Sequence, residues 1–299
     1  MAFLNSQGVK LYYEDIGSGD PIIWLHEFAA DRRTWERQIR RFGREYRCIA
    51  YNARGYPPSD VPETDTAYSY EHQREDIVAL MDGLGIASAH LVGLSMGAYS
   101  GLQFAMKYPD RTRSLVFSSG GSGPARNDAD SYKRDIEVLA DRIVRAGMET
   151  SANELALAAN RIQLRAKDPR GWEEFRRHMA EHSALGSALT LKGFQAPRPS
   201  IYTYEADLRS LDVPVLLAVG DEDDGIFDVN IFLKRTLPRA GLWIHPRTGH
   251  GMNLEDPDAF NAQIASFLSA VERGAWCRGD SRGSDQPIMM AAPAARGSE

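Results

Sequence analysis

The sequence predicts an α/β fold, with a mostly parallel central β-sheet flanked by helices and an all-helical insertion. Over about the first 120 residues, short apolar runs alternate with longer helical patterns. That alternation is typical of a parallel sheet covered by helices on both faces. From about residue 123 to residue 207, helical patterns follow one another without a strand-like run. Strand-like runs then resume at Val213, so the helical stretch interrupts the α/β pattern rather than ending it.

The predicted strands are short apolar runs without alternation, which suits strands buried on both faces. They comprise Pro21–His26, Tyr46–Asn52, Ala89–Leu94, Arg113–Ser119, Val213–Gly220 and Gly241–Pro246. The helical patterns between them repeat apolar residues every three or four positions, as an amphipathic helix requires. A closing helix is predicted after Asp256, which can cap it, and Pro257, which suits its first turn.

These patterns divide the chain into four predicted segments. Residues 1–122 form the first part of an α/β core, residues 123–207 a helical cap, and residues 208–273 the second part of the core. Residues 274–299 are rich in Gly, Pro, Ser and Ala and contain little that could pack, so we predict a disordered tail.

Composition excludes several classes of partner. A formal net charge of −6 argues against nucleic acid, which recruits a surplus of Lys and Arg. No apolar run reaches the roughly 18 residues of a membrane span, and the N-terminus lacks the pattern of an export signal. The two cysteines, Cys48 and Cys277, are expected to be unpaired thiols, which fits the cytoplasm. We expect no metal or other cofactor, and a monomer or a homodimer.

Ser95 lies in the stretch "HLVGLSMGAYSG", between Gly93 and Gly97 and between a predicted strand and a predicted helix. A sharp turn there would expose the serine hydroxyl, and glycines on either side have no side chains to clash with the strand and helix. The N-terminus of the helix directs free N–H groups at developing negative charge, and Met96 N–H is one of them. These features predict a nucleophilic serine beside an oxyanion site.

A serine nucleophile needs a base, and His250 in "PRTGHGMNLEDP" is the candidate. It follows a predicted strand, at the sheet edge where open α/β sheets hold ligands. A carboxylate that orients the imidazole should come from another strand end. Four acidic residues directly follow the predicted strand ending at Gly220, and the pattern leaves all four open: Asp221, Glu222, Asp223 and Asp224. The chain order serine, acid, histidine fits this architecture.

Five stretches together resemble the α/β-hydrolase fold superfamily, over residues from about 1 to 273. They are "WLHEFAADRRTW", "YNARGYPPSD", "GLSMGAYSG", "VGDEDD" and "TGHGMNLEDP", in the family's order. The resemblance is to the serine-dependent, capped branch that includes esterases, lactonases and carbon–carbon bond hydrolases. It implies that the acid follows the strand glycine by three residues, which points to Asp223, with Asp224 and Asp221 as alternatives. It also implies that the second oxyanion donor is the backbone N–H of Phe28.

Glu27 departs from the family pattern, in which glycine is usual at this position. A carboxylate beside an oxyanion hole opposes the charge that must form there. Two interpretations stay open: Glu27 faces solvent or pairs with a nearby arginine, or it faces the substrate and selects cationic or hydrogen-bonding groups. Trp172 and Phe194, in the insertion, are candidates for lining the substrate pocket, although packing explains them equally well.

The sequence thus predicts a serine hydrolase with Ser95 as nucleophile, His250 as general base and acid, and Asp223 as the residue that orients His250. The expected partner is a small-molecule, ester-like substrate of small to medium size, partly apolar because a helical cap normally covers an apolar pocket. Two alternatives stay open. The same triad could open a lactone or cleave a carbon–carbon bond next to a ketone, or the fold could serve as a ligand receptor that barely turns over.

Overall fold

The computed structural model describes residues 2–125 and 129–278. Their strands form one eight-stranded sheet in the order β1-β2-β4-β3-β5-β6-β7-β8. The strands are β1 (Ala2–Ser6), β2 (Val9–Ile16), β3 (Pro21–Leu25), β4 (Arg47–Tyr51), β5 (Ala89–Leu94), β6 (Thr112–Ser118), β7 (Val215–Gly220) and β8 (Ala240–His245). All neighbours from β4 to β8 are parallel, and the pairs β1–β2 and β2–β4 are antiparallel. The predicted α/β class with a mostly parallel sheet is confirmed.

Helices cover both faces of this sheet and fill the segment between β6 and β7. They are α1 (Glu36–Phe42), α2 (Tyr70–Gly83), α3 (Met96–Lys107), α4 (Ala129–Ala156), α5 (Ile162–Lys167), α6 (Pro169–Ala180), α7 (Ala184–Thr190), α8 (Glu205–Ser210), α9 (Phe227–Thr236), α10 (Met252–Glu255) and α11 (Pro257–Glu272). Among the helices of the described residues, none is long and apolar enough to span a membrane.

The N-terminal hairpin is a feature that the sequence analysis missed. Strand β1 is mostly exposed, and β2 includes exposed Lys10 and Asp15, so neither has the continuous apolar run by which β3 to β8 were recognised. The turn between β1 and β2 places Gln7 and Gly8 at φ +52° and +86°, in the region that favours glycine. The hairpin extends the sheet beyond β4 at the edge far from β7 and β8.

Alternate residues of the central strands pack into two separate apolar cores. In β3, Ile23 and Leu25 belong to the core that also contains residues of α2 and α3, while Ile22 and Trp24 belong to the core with residues of α1 and α11. Side chains of a strand point alternately to opposite faces, so burial on both faces makes the whole strand apolar. This is why the central strands were recognisable in the sequence.

Helices α4 to α7 form the insertion and share a third apolar cluster, which includes Ile143 and Phe175. Ala29 and Ala30, in the loop after β3, belong to the same cluster, so the insertion packs on that loop. Residues 153–166 belong to the helical pattern that the sequence predicts for the insertion. In the structure α4 ends at Ala156 and α5 begins at Ile162, and the turn between them brings two side chains to the site described below.

The predicted tail, residues 274–299, lies mostly outside the described residues. Its first part does pack: the Trp276 ring lies 4.7 Å from the Phe267 ring, between centroids. The indole N–H of Trp276 also donates a hydrogen bond of 2.8 Å to the carbonyl oxygen of Arg239. Packed structure therefore extends past residue 273, because an aromatic side chain there covers α11 and the start of β8.

Candidate active site

Ser95 occupies the turn between β5 and α3 with φ +53° and ψ −108°, in the left-handed region that non-glycine residues rarely adopt. Two backbone hydrogen bonds hold it there. Its N–H donates to the carbonyl oxygen of Ser118 over 2.8 Å, and its carbonyl oxygen accepts from the N–H of Tyr99 over 3.0 Å. A strained residue persists only where the surroundings over-determine it, as they do here.

The glycines on either side of Ser95 are required by close packing. A Cβ added to Gly93 would overlap the carbonyl group of Gly97, and one added to Gly97 would overlap the carbonyl group of Leu25 at the end of β3. The N-terminal turn of α3 therefore lies directly against the backbones of β5 and β3. This contact aims the helix N-terminus at the sheet edge where the other candidate residues lie.

Asp223 and His250 meet at that edge because they follow neighbouring parallel strands, β7 and β8. His250 Nδ1 lies 2.6 Å from Asp223 Oδ2. Asp223 is buried, whereas Asp221, Glu222 and Asp224 are exposed. Burial tends to raise the pKa of Asp223, but hydrogen bonds from His250 and Asn160, together with nearby positive charge, hold that pKa below its usual value. Asp223 is therefore an ionised partner for the imidazole.

The structure does not join Ser95 to His250. Among the hydrogen bonds of residues 2–125 and 129–278, none links the Ser95 hydroxyl to the imidazole, and His250 Nε2 lies 3.7 Å from Glu27 Oε2. Catalytic hydrogen bonds are often long or misaligned in free enzymes and tighten only when substrate binds. The hydrogen bond of the candidate acid–base pair, Asp223 and His250, is thus present, while the catalytic roles of these residues and the contact between His250 and Ser95 stay predictions.

The two predicted oxyanion donors lie on the elements that the sequence analysis assigned. Met96 is the first residue of α3, so its N–H has no partner inside the helix. Phe28 lies in the loop after β3, where its carbonyl oxygen accepts a hydrogen bond of 2.8 Å from the Tyr56 hydroxyl. Within the described part of the chain, neither the Met96 nor the Phe28 N–H has a protein acceptor. Their role as oxyanion donors stays a prediction.

His26 fixes the backbone of the loop that carries Phe28. The Ala53 N–H donates to His26 Nε2 over 3.0 Å, so the ring proton is on Nδ1, which donates to the carbonyl oxygen of Glu27 over 2.7 Å. Burial lowers the pKa of His26 to about 4, which keeps this arrangement uncharged at neutral pH. His26 therefore serves the loop's geometry rather than proton transfer.

Glu27 is buried, and it forms an ion pair with Arg161 from the turn between α4 and α5. Arg161 Nη1 donates to Glu27 Oε1 over 2.7 Å, and Nη2 donates to Oε2. Burial tends to raise the pKa of Glu27, but the guanidinium of Arg161 and the nearby His250 hold it below its usual value. Of the two interpretations open from the sequence, the structure shows pairing with an arginine, without exposure to solvent.

Two further residues near Arg161 contact the acid–base pair or its loop, and the sequence analysis identified neither. Asn160 Nδ2 donates to Asp223 Oδ1 over 3.1 Å. Lys167 Nζ lies 3.4 Å from Glu255 Oε2, and that oxygen also accepts from the Gly249 N–H over 2.9 Å. Glu255 lies within the stretch "TGHGMNLEDP", so the sequence indicated that it would lie near His250. Nothing in the sequence around Asn160 indicated a contact with Asp223.

Comparison with known proteins identifies the family. A family model described as alpha/beta hydrolase fold matches residues 20–257. The chain belongs to the α/β-hydrolase family. The 2-hydroxy-6-oxo-6-phenylhexa-2,4-dienoate hydrolase of Burkholderia cepacia is 28% identical over 280 residues, which cover 89% of this chain and 94% of that protein. The fold and the relatives together identify this α/β hydrolase as an enzyme.

Solved structures agree with this assignment. A thermophilic esterase from Thermogutta terrifontis superposes with a TM-score of 0.80 and 27% identity, covering 90% of this chain and 98% of that one. An enol-lactonase from Burkholderia xenovorans LB400 superposes with a TM-score of 0.78 over 90% of this chain and 100% of that one, at 21% identity. The second likeness shows the fold alone. The names of these relatives specify different substrates, so the family does not fix the substrate.

The two pocket candidates from the cap of this α/β hydrolase both make packing contacts. Trp172 is half-buried, its indole N–H donates to the carbonyl oxygen of Ala156 over 2.9 Å, and the Arg165 guanidinium lies 5.0 Å from its ring centroid. Phe194 is fully buried, with its ring 5.9 Å from that of Tyr99. Neither lines a cavity described below. The packing explanation, which the sequence left open, accounts for both.

Two cavities lie where the cap meets the core. The larger, about 350 Å³, opens between α1 and helices α5 and α6, and Ser95 is not among its lining residues. The smaller, about 10 Å³, touches Glu27, Arg161 and Gly251 beside the acid–base pair. Three apolar side chains line both cavities and so form the wall between them: Leu164, Phe175 and Leu254. A substrate entering from the larger cavity would have to pass this apolar wall.

Proposed function

We propose that this α/β hydrolase cleaves small to medium, partly apolar carboxylic esters through an acyl-enzyme, with Ser95, His250 and Asp223 as its triad. The observation that carries the proposal is the 2.6 Å hydrogen bond between His250 Nδ1 and Asp223 Oδ2. A buried carboxylate at this distance holds the imidazole in one tautomer and stabilises its cation, which a general base next to a serine needs.

In the first half of the proposed reaction, Ser95 Oγ attacks the ester carbonyl carbon while His250 Nε2 takes the hydroxyl proton. The oxygen of the tetrahedral intermediate becomes negative and accepts hydrogen bonds from the N–H groups of Phe28 and Met96. When the intermediate collapses, the bond to the alcohol oxygen breaks and His250 gives its proton to the leaving alcohol. The acyl group then remains on Ser95.

In the second half, His250 takes a proton from a water molecule, and the hydroxide attacks the acyl carbon. The second tetrahedral intermediate uses the same two donors, since its oxyanion forms at the same atom. Its collapse returns the proton from His250 to Ser95 Oγ and releases the carboxylic acid. Side-chain rotation must first bring Ser95 Oγ and His250 Nε2 within hydrogen-bonding distance, which we expect on substrate binding.

Two features of the site support an uncharged, partly apolar substrate. The wall formed by Leu164, Phe175 and Leu254 offers apolar contact on the path from the larger cavity. The guanidinium of Arg161 is already neutralised by Glu27, so it offers no free positive charge to an acidic substrate. Both features favour a neutral ester over a substrate that carries a carboxylate.

A second candidate reaction is hydrolysis of a carbon–carbon bond next to a ketone. It is favoured by the similarity to the dienoate hydrolase of Burkholderia cepacia, at 28% identity over 89% of this chain. The dienoate substrate that this name specifies carries a carboxylate, and the pairing of Arg161 with Glu27 disfavours such a group here. Opening of a lactone would use the same triad steps as ester cleavage, since a lactone is a cyclic ester.

The proposal is tested with p-nitrophenyl acetate and butyrate under multiple-turnover conditions. We expect steady release of p-nitrophenol by the wild type and a fall in kcat of about 10⁴- to 10⁶-fold in Ser95→Ala. Asp223→Asn should lower kcat about 10⁴-fold because the imidazole loses its tautomer. Asp224→Asn is the matched control, since Asp224 is the exposed neighbour, and it should behave as the wild type.

The outcomes distinguish the candidate functions. A single stoichiometric burst without turnover would favour the ligand receptor. Turnover of a ring-fission dienone with no turnover of either ester would favour the carbon–carbon hydrolase. Steady ester hydrolysis that survives in Ser95→Ala would overturn the proposed triad.

A further inference from the structure

The turn between α4 and α5 contributes directly to the acid–base pair of the core. Asn160 Nδ2 donates a hydrogen bond of 3.1 Å to Asp223 Oδ1, while the other carboxylate oxygen, Oδ2, binds His250 Nδ1. The carbonyl oxygen of Asn160 accepts a hydrogen bond of 2.7 Å from the N–H of His250. A single residue of the cap thus holds the side chain of the candidate acid and the backbone of the candidate base.

The turn lies in close contact with the histidine loop at Gly249. A Cβ added to Gly249, just before His250, would overlap the carbonyl oxygen of Asn160 and the side-chain oxygen of Gln163. Glycine at this position therefore permits the close approach that the hydrogen bond from His250 N–H to Asn160 requires. The histidine loop contributes the glycine and the N–H donor to this contact, and the cap contributes the acceptor.

The hydrogen bond from Asn160 has a definite physical consequence for Asp223. A carboxylate bound at one oxygen only can rotate about its Cβ–Cγ bond, whereas donors at both oxygens fix its plane. Asp223 is 3% exposed, so water cannot readily replace a lost donor. A buried acceptor without a donor is unfavourable, so the carboxylate would respond by moving or by binding the imidazolium more tightly.

We propose that Asn160 is a positioning residue of the catalytic site, which fixes the plane of the Asp223 carboxylate and thereby the orientation of His250. This inference rests on the proposed function, because it gives Asp223 and His250 their roles. It follows that the acid–base pair is complete only when the cap is seated on the core. The cap then contributes to the chemical step and not only to the walls of the pocket.

The charged groups around Asp223 determine which readout reports on Asn160. His250 and Arg161 face it, and Arg161 is in turn paired with Glu27. None of these charges changes when Asn160 is replaced by alanine. Without the amide donor, the Asp223 carboxylate is less stabilised and attracts the protonated imidazole more strongly. The acidic limb of the kcat/KM profile should therefore move to higher pH.

The test uses the full-length protein with Asn160→Ala, Asn160→Asp and the control Asn153→Ala. Asn153 is exposed on α4 and binds Arg176, away from the acid–base pair. For p-nitrophenyl butyrate we expect a fall in kcat of about 10- to 100-fold in Asn160→Ala, because a small misplacement of a catalytic group has that effect. Asn160→Asp should fall further, since a second carboxylate would face Asp223, while Asn153→Ala should match the wild type.

A second readout needs no substrate. The proton between His250 Nδ1 and Asp223 Oδ2, over 2.6 Å, should give a low-field ¹H NMR resonance, and this resonance should move in Asn160→Ala and not in Asn153→Ala. If the wild type hydrolyses no ester, the proposed function fails while this readout still tests Asn160. An unchanged resonance, or a loss of activity that follows thermal stability while the pH profile stays unchanged, would overturn the proposal.

Discussion

The two halves of the candidate active site are held together in different ways. On the core side, Ser95 is fixed by backbone contacts between neighbouring elements, because α3 lies against β5 and β3 with glycine at each close approach. On the cap side, residues 160–167 hold the site through polar contacts, mostly of side chains, with residues far away in the sequence. Asn160 and Asp223 are 63 positions apart, and Arg161 and Glu27 are 134 positions apart.

The reactivity proposed for Ser95 thus depends on the core, whereas the alignment proposed for Asp223 and His250 depends on the cap. The core half positions the proposed nucleophile and oxyanion donors through local geometry, which persists as long as the sheet is folded. The cap half contacts Asp223 and His250 and neutralises Glu27 through polar contacts, which exist only while the cap is seated. Substitutions in the two halves should therefore differ in size and in pH dependence, and the following predictions test this.

The largest effect on stability is expected in the cap half, from Arg161→Met. This change removes the partner of Glu27, whose side chain is 1% exposed. Removing one member of a buried ion pair costs about 3–5 kcal/mol, because the remaining charge is uncompensated. Urea unfolding at neutral pH should show a loss of this size in the free energy of unfolding.

Two variants calibrate that result. Glu27→Gln combined with Arg161→Met should recover much of the loss, since no buried charge remains. Arg209→Met is the matched control: Arg209 pairs with Glu205 on the surface, with side chains 62% and 43% exposed, and such pairs contribute about 1 kcal/mol or less. Equal losses of unfolding free energy in Arg161→Met and Arg209→Met would contradict a stabilising role for the ion pair of Glu27 and Arg161.

A smaller loss is expected in the core half, from Gly97→Ala. The added methyl group would overlap the carbonyl group of Leu25, so α3 must move away from β3. Overpacking of this kind costs about 1–3 kcal/mol, and the movement should also displace Ser95 and reduce ester hydrolysis. In Gly225→Ala, where the methyl group would meet open space, unfolding should be unchanged within about 0.5 kcal/mol. A Gly97→Ala protein as stable and active as the wild type would show that the turn is not tightly packed.

The same division explains how much the sequence could predict. Strands β3 to β8, the turn at Ser95 and the loop of His250 were recognisable because each depends on a short local pattern: buried apolar runs, paired glycines, a histidine after a strand. The choice of Asp223 came from resemblance, and the structure buries it while leaving Asp224 exposed. Asn160 and Arg161 were not recognisable, because their contacts depend on a helix break that the periodic pattern of residues 153–166 did not reveal.

The smallest effect concerns the pH dependence of the stability that the ion pair of Glu27 and Arg161 contributes. The sign of this dependence is what the experiment tests. In the wild type the pKa of Glu27 is held below its usual value, since Arg161 and His250 outweigh burial. Glu27 therefore contributes stability above its unfolded-state pKa, and this contribution is lost as pH falls through the folded-state pKa.

In Arg161→Met the burial of Glu27 remains while its main cation is gone, so its pKa should rise above the usual value. Protonation then relieves a buried charge, and Glu27 favours the folded state more as the pH falls. Between about pH 6 and pH 4, the difference in unfolding free energy between wild type and Arg161→Met should narrow by about 1–2 kcal/mol. The difference between the wild type and the variant that combines Glu27→Gln with Arg161→Met should narrow less, because this variant has no carboxylate there. A difference that narrows no more for Arg161→Met than for the double variant would mean that Glu27 reaches water once Arg161 is removed, and that the cap half is looser than its contacts indicate.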